Sequence, residues 1–512
     1  MASKSYDVVV VGAGPVGLFL ACELRLAGLT VMVVEKRTGR EGMAENRAFV
    51  MHGRSLEMLA ARGLLEQFLE SGQKSNWWHY GVLDTRLDYS VFGPETDQNY
   101  VLLVPQYRTE MIFLRRAEEL GVVIVKGVRV QSIETTDHSV TVGGTHTTQQ
   151  AENQFFTATG KYLVGADGVR STIRELADIG FPGSPPVNTV MSGEATLGVP
   201  MANPYLVHNE HGLLIAADLH VPSGRARLNI FARSKATVPE SVPVTLEEMN
   251  EAIRQVTRVD YKLSNPCMLK RFSNEQRLAT RYQSGRIFIV GDACHKHLPA
   301  GGQGLNVGLQ EALNLGWKLG EVIRGSAPSS LLHTYEDERL PVAKAVVENT
   351  TSQSLLFFAS TGPEWAVRAA MDRLLRLPEA NKSLGLEISG FAVSYPKPLD
   401  MVCPDGWDPL PKGMQGMRAL HVKIQSPDGE VTNLFEYMRH AHWIQLQLPG
   451  KKRSQNVSPA FGDRTVLVEA IDMPDLEERV AFYSGGLREI LVRPDGYLAF
   501  GRPDQYEEIR TG

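Results

Sequence analysis

The amino-acid sequence predicts an α/β protein: an N-terminal unit on a parallel sheet, interrupted by an antiparallel sheet and followed by a further α/β unit. Three observations predict it. An apolar, β-branched run from Tyr6 to Val11 leads directly into Gly12-Ala13-Gly14-Pro15-Val16-Gly17 and an apolar helical stretch, Leu18 to Ala27. Residues about 181 to 275 change to strand patterns that alternate apolar and polar side chains, as in GLLIAADLHV and RARLNIFAR. The last hundred residues carry the strand-like segments HVKIQ, TVLVEAI and REILVRPDGYLAFGRPDQ.

A chain of 512 residues is too long for one ordinary core, so two or three domains are expected. With 22% charged residues and a formal net charge of -5, no basic nucleic-acid surface or polybasic anchor is expected. The apolar run after MASKSYD is too short for a secretory leader, and no stretch of about 20 apolar residues suggests a membrane span. Cys22, Cys267, Cys294 and Cys403 lie far apart without a CxxC pair. A disulfide framework and a zinc site are therefore not expected; no metal is called for, each cysteine reads as a small buried apolar residue, and a cytoplasmic setting fits.

The glycine segment has a defined chemistry. Gly12 permits a tight turn, Gly14 lets the backbone approach a pyrophosphate, and Gly17 lets the helix pack against the sheet. Pro15 and Val16 open a helix whose free N–H groups and positive dipole end favour phosphate. A second strand, Thr30 to Val34, ends in Glu35-Lys36, where the carboxylate can accept from ribose hydroxyls. Its place between strand and helix makes the motif a dinucleotide site, but does not separate NAD from FAD.

Two distant segments point to a flavin. In KYLVGADGVRSTIR, a strand, Tyr162 to Val164, runs into Gly165-Ala166-Asp167-Gly168, and a helix is expected near Ser171. Asp167 is either a fixed acceptor for the cofactor or simply the cap of that helix. In RIFIVGDACHKHLPAGGQGLNVGLQEALNLGWK, a buried strand, Arg286 to Val290, precedes Asp292, which can accept from a polyol hydroxyl. The loop Gly301-Gly302-Gln303-Gly304 then feeds a helix from Leu305 and Asn306, aiming N–H groups at the pyrimidine edge, where a reduced flavin gains negative charge.

These segments resemble those of the class A FAD-dependent monooxygenases, the p-hydroxybenzoate hydroxylase group. The chain looks most like the phenol and polyketide aromatic hydroxylases with a C-terminal thioredoxin-like domain. The resemblance is strongest at Asp7–Lys36, Gly165–Arg174 and Gly291–Lys318. It implies that Arg47 lies near the flavin, that Gln106 and Arg108 contact the ribityl chain or adenosine side, and that the Pro299 loop faces both flavin and substrate. It also implies tightly but non-covalently bound FAD, with NADPH or NADH as co-substrate and no separate nicotinamide-binding domain. None is visible, since the chain has no second strand–GxGxxG–helix unit.

The implied architecture is an FAD-binding Rossmann-like domain with an inserted antiparallel β-sheet substrate domain and a C-terminal thioredoxin-like domain. Its parts are residues 1–180, the first part of the FAD domain with a meander over 121–164; 181–275, the substrate sheet; 276–395, the second FAD part and linking helices; and 400–512, the thioredoxin-like unit, suited to packing or dimerisation because it lacks CxxC. Candidate substrate-lining residues are His79, Tyr80, Tyr205, Asn229, Phe231 and Pro299. The implied function is hydroxylation of an aromatic, phenolic or polyketide-like small molecule of secondary metabolism by O2 through a flavin C4a-hydroperoxide. His295 and His297 lie near the flavin loop but read as structural, so no catalytic base is assigned. Epoxidation or oxidation of an indole or alkene by the same chemistry is the alternative. A prenyl carrier of the GDP-dissociation-inhibitor type is the non-enzyme alternative.

Overall fold

The computed structural model describes all residues except 1–4, 40–49, 148–153, 202–204, 219–223, 398, 412, 421, 426–429, 450–463, 473–485 and 504–512. Strand Ser5–Val11 is the centre of the main sheet, parallel to Val31–Glu35 on one side and Phe155–Gly165 on the other. Val123–Lys126 extends the parallel set beyond Val31–Glu35, and Ile287–Ile289 beyond Phe155–Gly165. Val8 to Val10 and Val31 to Val34 are almost fully buried, as a parallel sheet covered on both faces requires.

The short strand expected at Tyr162 to Val164 is the end of an eleven-residue strand, Phe155–Gly165. Its first half pairs antiparallel with Val140–His146, and its second half pairs parallel with Ser5–Val11. One strand thus ties the meander, completed by Val128–Thr135, to the parallel sheet.

Helix Pro15–Leu26 packs along Gly304–Arg324, and the sequence explains how closely. A Cβ on Gly308 would stand 2.7 Å from Val16, one on Gly316 2.7 Å from Glu23, and one on Gly320 2.6 Å from Ala27. These small residues fall on one face of the second helix, with Ala312 between them, so the two backbones nearly touch.

The insertion is a five-stranded antiparallel sheet in the order Tyr205–Asn209, Gly212–Asp218, Arg225–Ala232, Thr189–Thr196 and Ser264–Ser273. Alternation gives it two apolar faces. Leu214, Ala216, Leu228 and Ile230 are covered by Met249, Ala252, Ile253 and Val256 of helix Leu246–Thr257. Leu213 and Phe231 face the other way, onto Leu298, Ala300 and Phe357.

Helices His333–Phe357, Gly362–Leu375 and Pro378–Ser389 follow, the middle one opened by a Thr361–Glu364 capping box. In the C-terminal unit, Trp443–Gln447 runs parallel to Thr465–Asp472 and antiparallel to Leu487–Val492, which pairs antiparallel with Leu498–Pro503. The C-terminal sheet thus mixes parallel and antiparallel pairs. Among the described residues no helix is long and apolar enough to cross a membrane. Cys22 and Cys294 are buried as expected, whereas Cys267 is exposed on its edge strand and Cys403 is half-buried.

Candidate flavin and substrate site

The three glycine-bearing segments meet at the C-terminal ends of the parallel strands, where α/β sheets bind ligands. Gly12 turns the chain at φ +109°, and a Cβ there would lie 2.3 Å from the Ala166 carbonyl oxygen. The Gly165–Gly168 turn is therefore pressed against the first glycine loop. Val16 in turn stands against both Gly291 and Gly308, drawing in the third segment.

Gly14 is different. A Cβ there would meet no atom of the protein within 4 Å. It is the N-cap of helix Pro15–Leu26, and no side chain caps that helix. Helix Gly304–Arg324 likewise starts without a side-chain cap. Helix starts leave N–H groups needing partners, so two uncapped starts beside one glycine-lined space fit an anionic dinucleotide.

Glu35 is 7% exposed and anchors the loop itself. Its Oε2 accepts from the Ala13 N–H at 2.7 Å, and its Oε1 accepts from the Arg37 main-chain N–H at 2.9 Å and from Nε at 3.1 Å. Burial alone would raise its pKa, but the bonds from Arg37 and Ala13 outweigh this and hold it below the usual carboxylate range. Arg37 also approaches Glu110 at 3.9 Å, and Glu110 Oε1 accepts from Gln106 Nε2 at 2.8 Å. The chain Glu35–Arg37–Glu110–Gln106 links Gln106 to the strand end that carries Glu35. Sequence reasoning missed Arg37 and Glu110, because a charged pair near a strand end carries no distinctive spacing. Lys36 and Arg108 are exposed, with Arg108 Nε donating to the Tyr107 hydroxyl at 3.1 Å. Arg47 lies outside the described residues.

Asp167 takes the capping role. Its carboxylate accepts from the Ser171 hydroxyl and from the Ile173 N–H at 3.1 Å, at the start of helix Thr172–Leu176. The side chain shapes the turn, which in turn packs on Gly12.

Asp292 is exposed in the short turn after Ile287–Ile289, and Pro299 is exposed on the following loop. Behind them, Glu311 accepts from the Gly291 N–H at 2.7 Å and pairs with His295 Nε2 at 3.3 Å. Burial works against a charged His295, but Glu311 raises its pKa. Burial, aided by His295, presses the pKa of His297 down to about 4, and its Nδ1–H donates to the Leu298 carbonyl at 2.8 Å. Both histidines are thus held by partners within the protein, Glu311 and the Leu298 carbonyl.

Gly301 and Gly302 adopt φ +72° and +73° and bend the loop into the helix start at Gly304 and Leu305. The Asn306 side chain staples that loop. It accepts from the His52 N–H at 2.8 Å and donates to the Val50 and Gly302 carbonyls at 3.0 and 2.9 Å.

The substrate candidates divide. Phe231 packs edge-on to Phe358 at 4.6 Å between ring centres, within the apolar cluster of Leu298, Ala300, Phe357 and Val82. Asn229 shares that face and accepts from the Ser192 hydroxyl at 2.8 Å. His79 meets Phe357 edge-on at 5.9 Å, and burial with nearby Arg86 and His52 lowers its pKa to about 3. Tyr80 is buried beside Val50, Tyr89 and Phe391 rather than on this wall. Tyr205 stands apart from this wall: it pairs with Ala216 in register and packs on the helix-covered face with Tyr261. A two-residue period assigns a face only once register is known. Phe357 and Phe358, at the end of a long helix, were not legible as wall residues from sequence.

A family model described as the FAD binding domain matches residues 5–350, and one described as the aromatic-ring hydroxylase C-terminal region matches residues 412–511. The chain is 37% identical over 505 residues to 12-dehydrotetracycline 5-monooxygenase/anhydrotetracycline 6-monooxygenase of Streptomyces rimosus, covering 97% of this chain and 95% of that one. It is 33% identical to the rifampicin monooxygenase of Streptomyces venezuelae, covering 98% and 97%. Among solved structures, the OxyS anhydrotetracycline hydroxylase from Streptomyces rimosus superimposes with a TM-score of 0.85 at 35% identity, covering 98% and 97% of the two chains.

Proposed function

Since the chain belongs to the FAD-dependent aromatic-ring hydroxylases of class A, we propose that it hydroxylates a fused-ring, polyketide-like phenol with NAD(P)H and O2. Relatives named for tetracycline and rifampicin scaffolds support that substrate class. The observation that carries the reading is the combination, in one fold, of two uncapped helix starts with an apolar wall drawn from four parts of the chain.

FAD, when bound, supplies the redox chemistry by which O2 becomes an oxygenating agent. The rest is the work of side chains and backbone. The N–H groups at Pro15–Leu26, with Gly12, Gly14 and Gly17, would hold the pyrophosphate. Glu35, flanked by Lys36 and linked through Arg37 to Gln106, would meet the ribose and adenosine side, with Arg108 nearby. Asp292 would accept from the ribityl chain. The Gly302, Gly304, Leu305 and Asn306 N–H groups would face the pyrimidine edge and stabilise negative charge there. Pro299 would lie between cofactor and substrate. Phe231, Phe357, Phe358 and Leu298 would keep water from the reacting carbon, with Asn229 and His79 as polar contacts for a ring hydroxyl.

The experiment is a screen of fused-ring phenols for acceleration of NADPH oxidation by the yellow holoenzyme, followed by product analysis under 18O2. One 18O atom in a ring hydroxyl, matched to NADPH consumed, is the expected result. NADPH oxidation that yields only hydrogen peroxide with every phenol would overturn it. An epoxide from an indole or alkene would favour the alternative, which differs only in the pocket.

A further inference from the structure

His52 is fully buried, and its position is set by chemistry rather than by packing alone. Its Nε2 lies 2.7 Å from the Gly301 carbonyl oxygen. A carbonyl only accepts, so Nε2 carries the proton. Burial lowers the pKa of the ring to about 4, so the imidazole is neutral and Nδ1 is an acceptor. The hydroxyl of Tyr89, itself fully buried, lies 3.2 Å from Nδ1 and must be the donor. A second donor reaches the same carbonyl from another strand: Trp78 Nε1–H, at 3.0 Å. Both acceptor sites of the Gly301 oxygen are thus filled, from two elements more than 200 residues away in sequence. The main-chain N–H of His52 is bound to Asn306 Oδ1 at 2.8 Å, so the clamp grips the loop at both ends.

We propose that Tyr89, His52 and Trp78 are positioning residues for the flavin: together they fix the Gly301 carbonyl, and through it the direction in which the N–H groups of Gly302 to Asn306 point. The glycines explain why a clamp is needed. Gly301 and Gly302 are both in the left-handed region, and two successive glycines have wide freedom to reorient their peptide planes. Rotation of the Gly301–Gly302 peptide would swing the Gly302 N–H away with the carbonyl, since both belong to one rigid plane. Two donors on the oxygen prevent that rotation. Tyr89 acts at one remove, by holding the tautomer that lets His52 donate. This inference rests on the reading that the Gly301–Asn306 loop faces the isoalloxazine.

The test compares purified His52→Leu, His52→Gln, Trp78→Phe and Tyr89→Phe, with Gly304→Val as a loop control that adds bulk at the helix start without touching the clamp. The readouts are FAD dissociation constant, bound-flavin absorption spectrum, flavin midpoint potential and thermal unfolding of the apoprotein. His52→Leu is expected to weaken FAD binding about tenfold and to change the spectrum, the effect of one buried carbonyl losing a donor. His52→Gln, which retains a donor, is expected to recover most of it, and Trp78→Phe and Tyr89→Phe to give smaller shifts of the same kind. The clamp is overturned if Gly304→Val changes the flavin signature while His52→Leu, Trp78→Phe and Tyr89→Phe leave it as in wild type. If Gly304→Val also leaves the signature unaltered, the placement of the loop against the flavin falls with it. Should His52→Leu unfold, Tyr89→Phe and Trp78→Phe decide alone: unchanged spectrum and potential in both overturns the clamp.

Discussion

Arg493, in the turn after strand Leu487–Val492 of the C-terminal unit, grips Glu338 of helix His333–Phe357, with Nη1 2.8 Å from Oε1 and Nη2 2.9 Å from Oε2. Lys318 joins Glu338 at 2.7 Å, and Asp495 pairs with Arg493 while accepting from the Trp317 indole N–H at 2.9 Å. Two cations and two anions, all buried, form a neutral set across the seam between the two units. Lys318 and Trp317 belong to helix Gly304–Arg324, so the C-terminal unit braces the helix whose start would serve the flavin.

Removing one member of this set leaves buried charge without its partner. Arg493→Leu is expected to destabilise the protein by about 3–5 kcal/mol. Urea unfolding checks it; a loss below about 1 kcal/mol would mean that the seam relaxes to admit water.

The same seam gives an acid dependence. Burial would raise the pKa of Glu338, but Arg493 and Lys318 overcome this and lower it from 4.5 to about 2. The carboxylate is therefore easier to protonate in the unfolded chain. Its stabilisation is complete above pH 4.5 and is lost as pH falls toward 2, by roughly 3 kcal/mol. Glu338→Gln should start less stable at neutral pH and show a shallower acid slope in urea unfolding followed from pH 6 to pH 2.5.

Gly14 and Gly17 should separate binding from folding. Gly14→Val points its side chain into space that holds no protein atom, so the apoprotein should fold normally yet purify colourless. Gly17→Val would drive a Cβ to 2.1 Å from the Gly12 carbonyl oxygen and should lower thermal stability as well. Thermal unfolding of both apoproteins, set beside FAD titration, distinguishes the two. A fully yellow Gly14→Val would remove the basis of the pyrophosphate assignment.

Asp292 is exposed, so its replacement should cost the fold little. Asp292→Ala is expected to weaken FAD retention about tenfold to a hundredfold, the range for losing a charged acceptor. Fluorescence titration of the apoprotein with FAD measures it; a fully retained flavin with normal turnover would refute the assignment.

The faces of the inserted sheet predict opposite kinetics. Asn229→Ala, on the flavin-loop face, should raise KM for the phenolic substrate about tenfold. Tyr205→Phe, on the helix-covered face, should leave KM unchanged. Steady-state assays decide, and a larger effect at Tyr205 would invert the face assignment.

Much of the site was legible in local sequence. Gly12, Gly14 and Gly17 declare a turn, an open approach and a close contact, because each depends on the absence of a side chain. Asp292 and Gly302–Leu305 were equally readable, since a strand end, a glycine loop and a helix start are all local events. Where one residue type serves two purposes, the sequence left the choice open. Asp167 could cap or bind, and tertiary structure shows the contacts it makes at the helix start, to Ser171 and the Ile173 N–H. Tyr205 and Phe231 both lie in alternating strands, but only pairing with Ala216 and Leu213 puts them on opposite faces.

The sequence by itself determined the class of the protein: a dinucleotide loop, two flavin segments and an inserted sheet, each specified by residues within a few positions of one another. Tertiary structure decided what depends on distance in the chain. It brought Trp78 and His52 onto one carbonyl of Gly301, Arg37 between Glu35 and Glu110, and Arg493 onto Glu338. The physical reason is range: turns and caps are set by neighbours along the backbone, whereas the partner of a buried donor or charge is whatever group folding carries within about 3 Å of it.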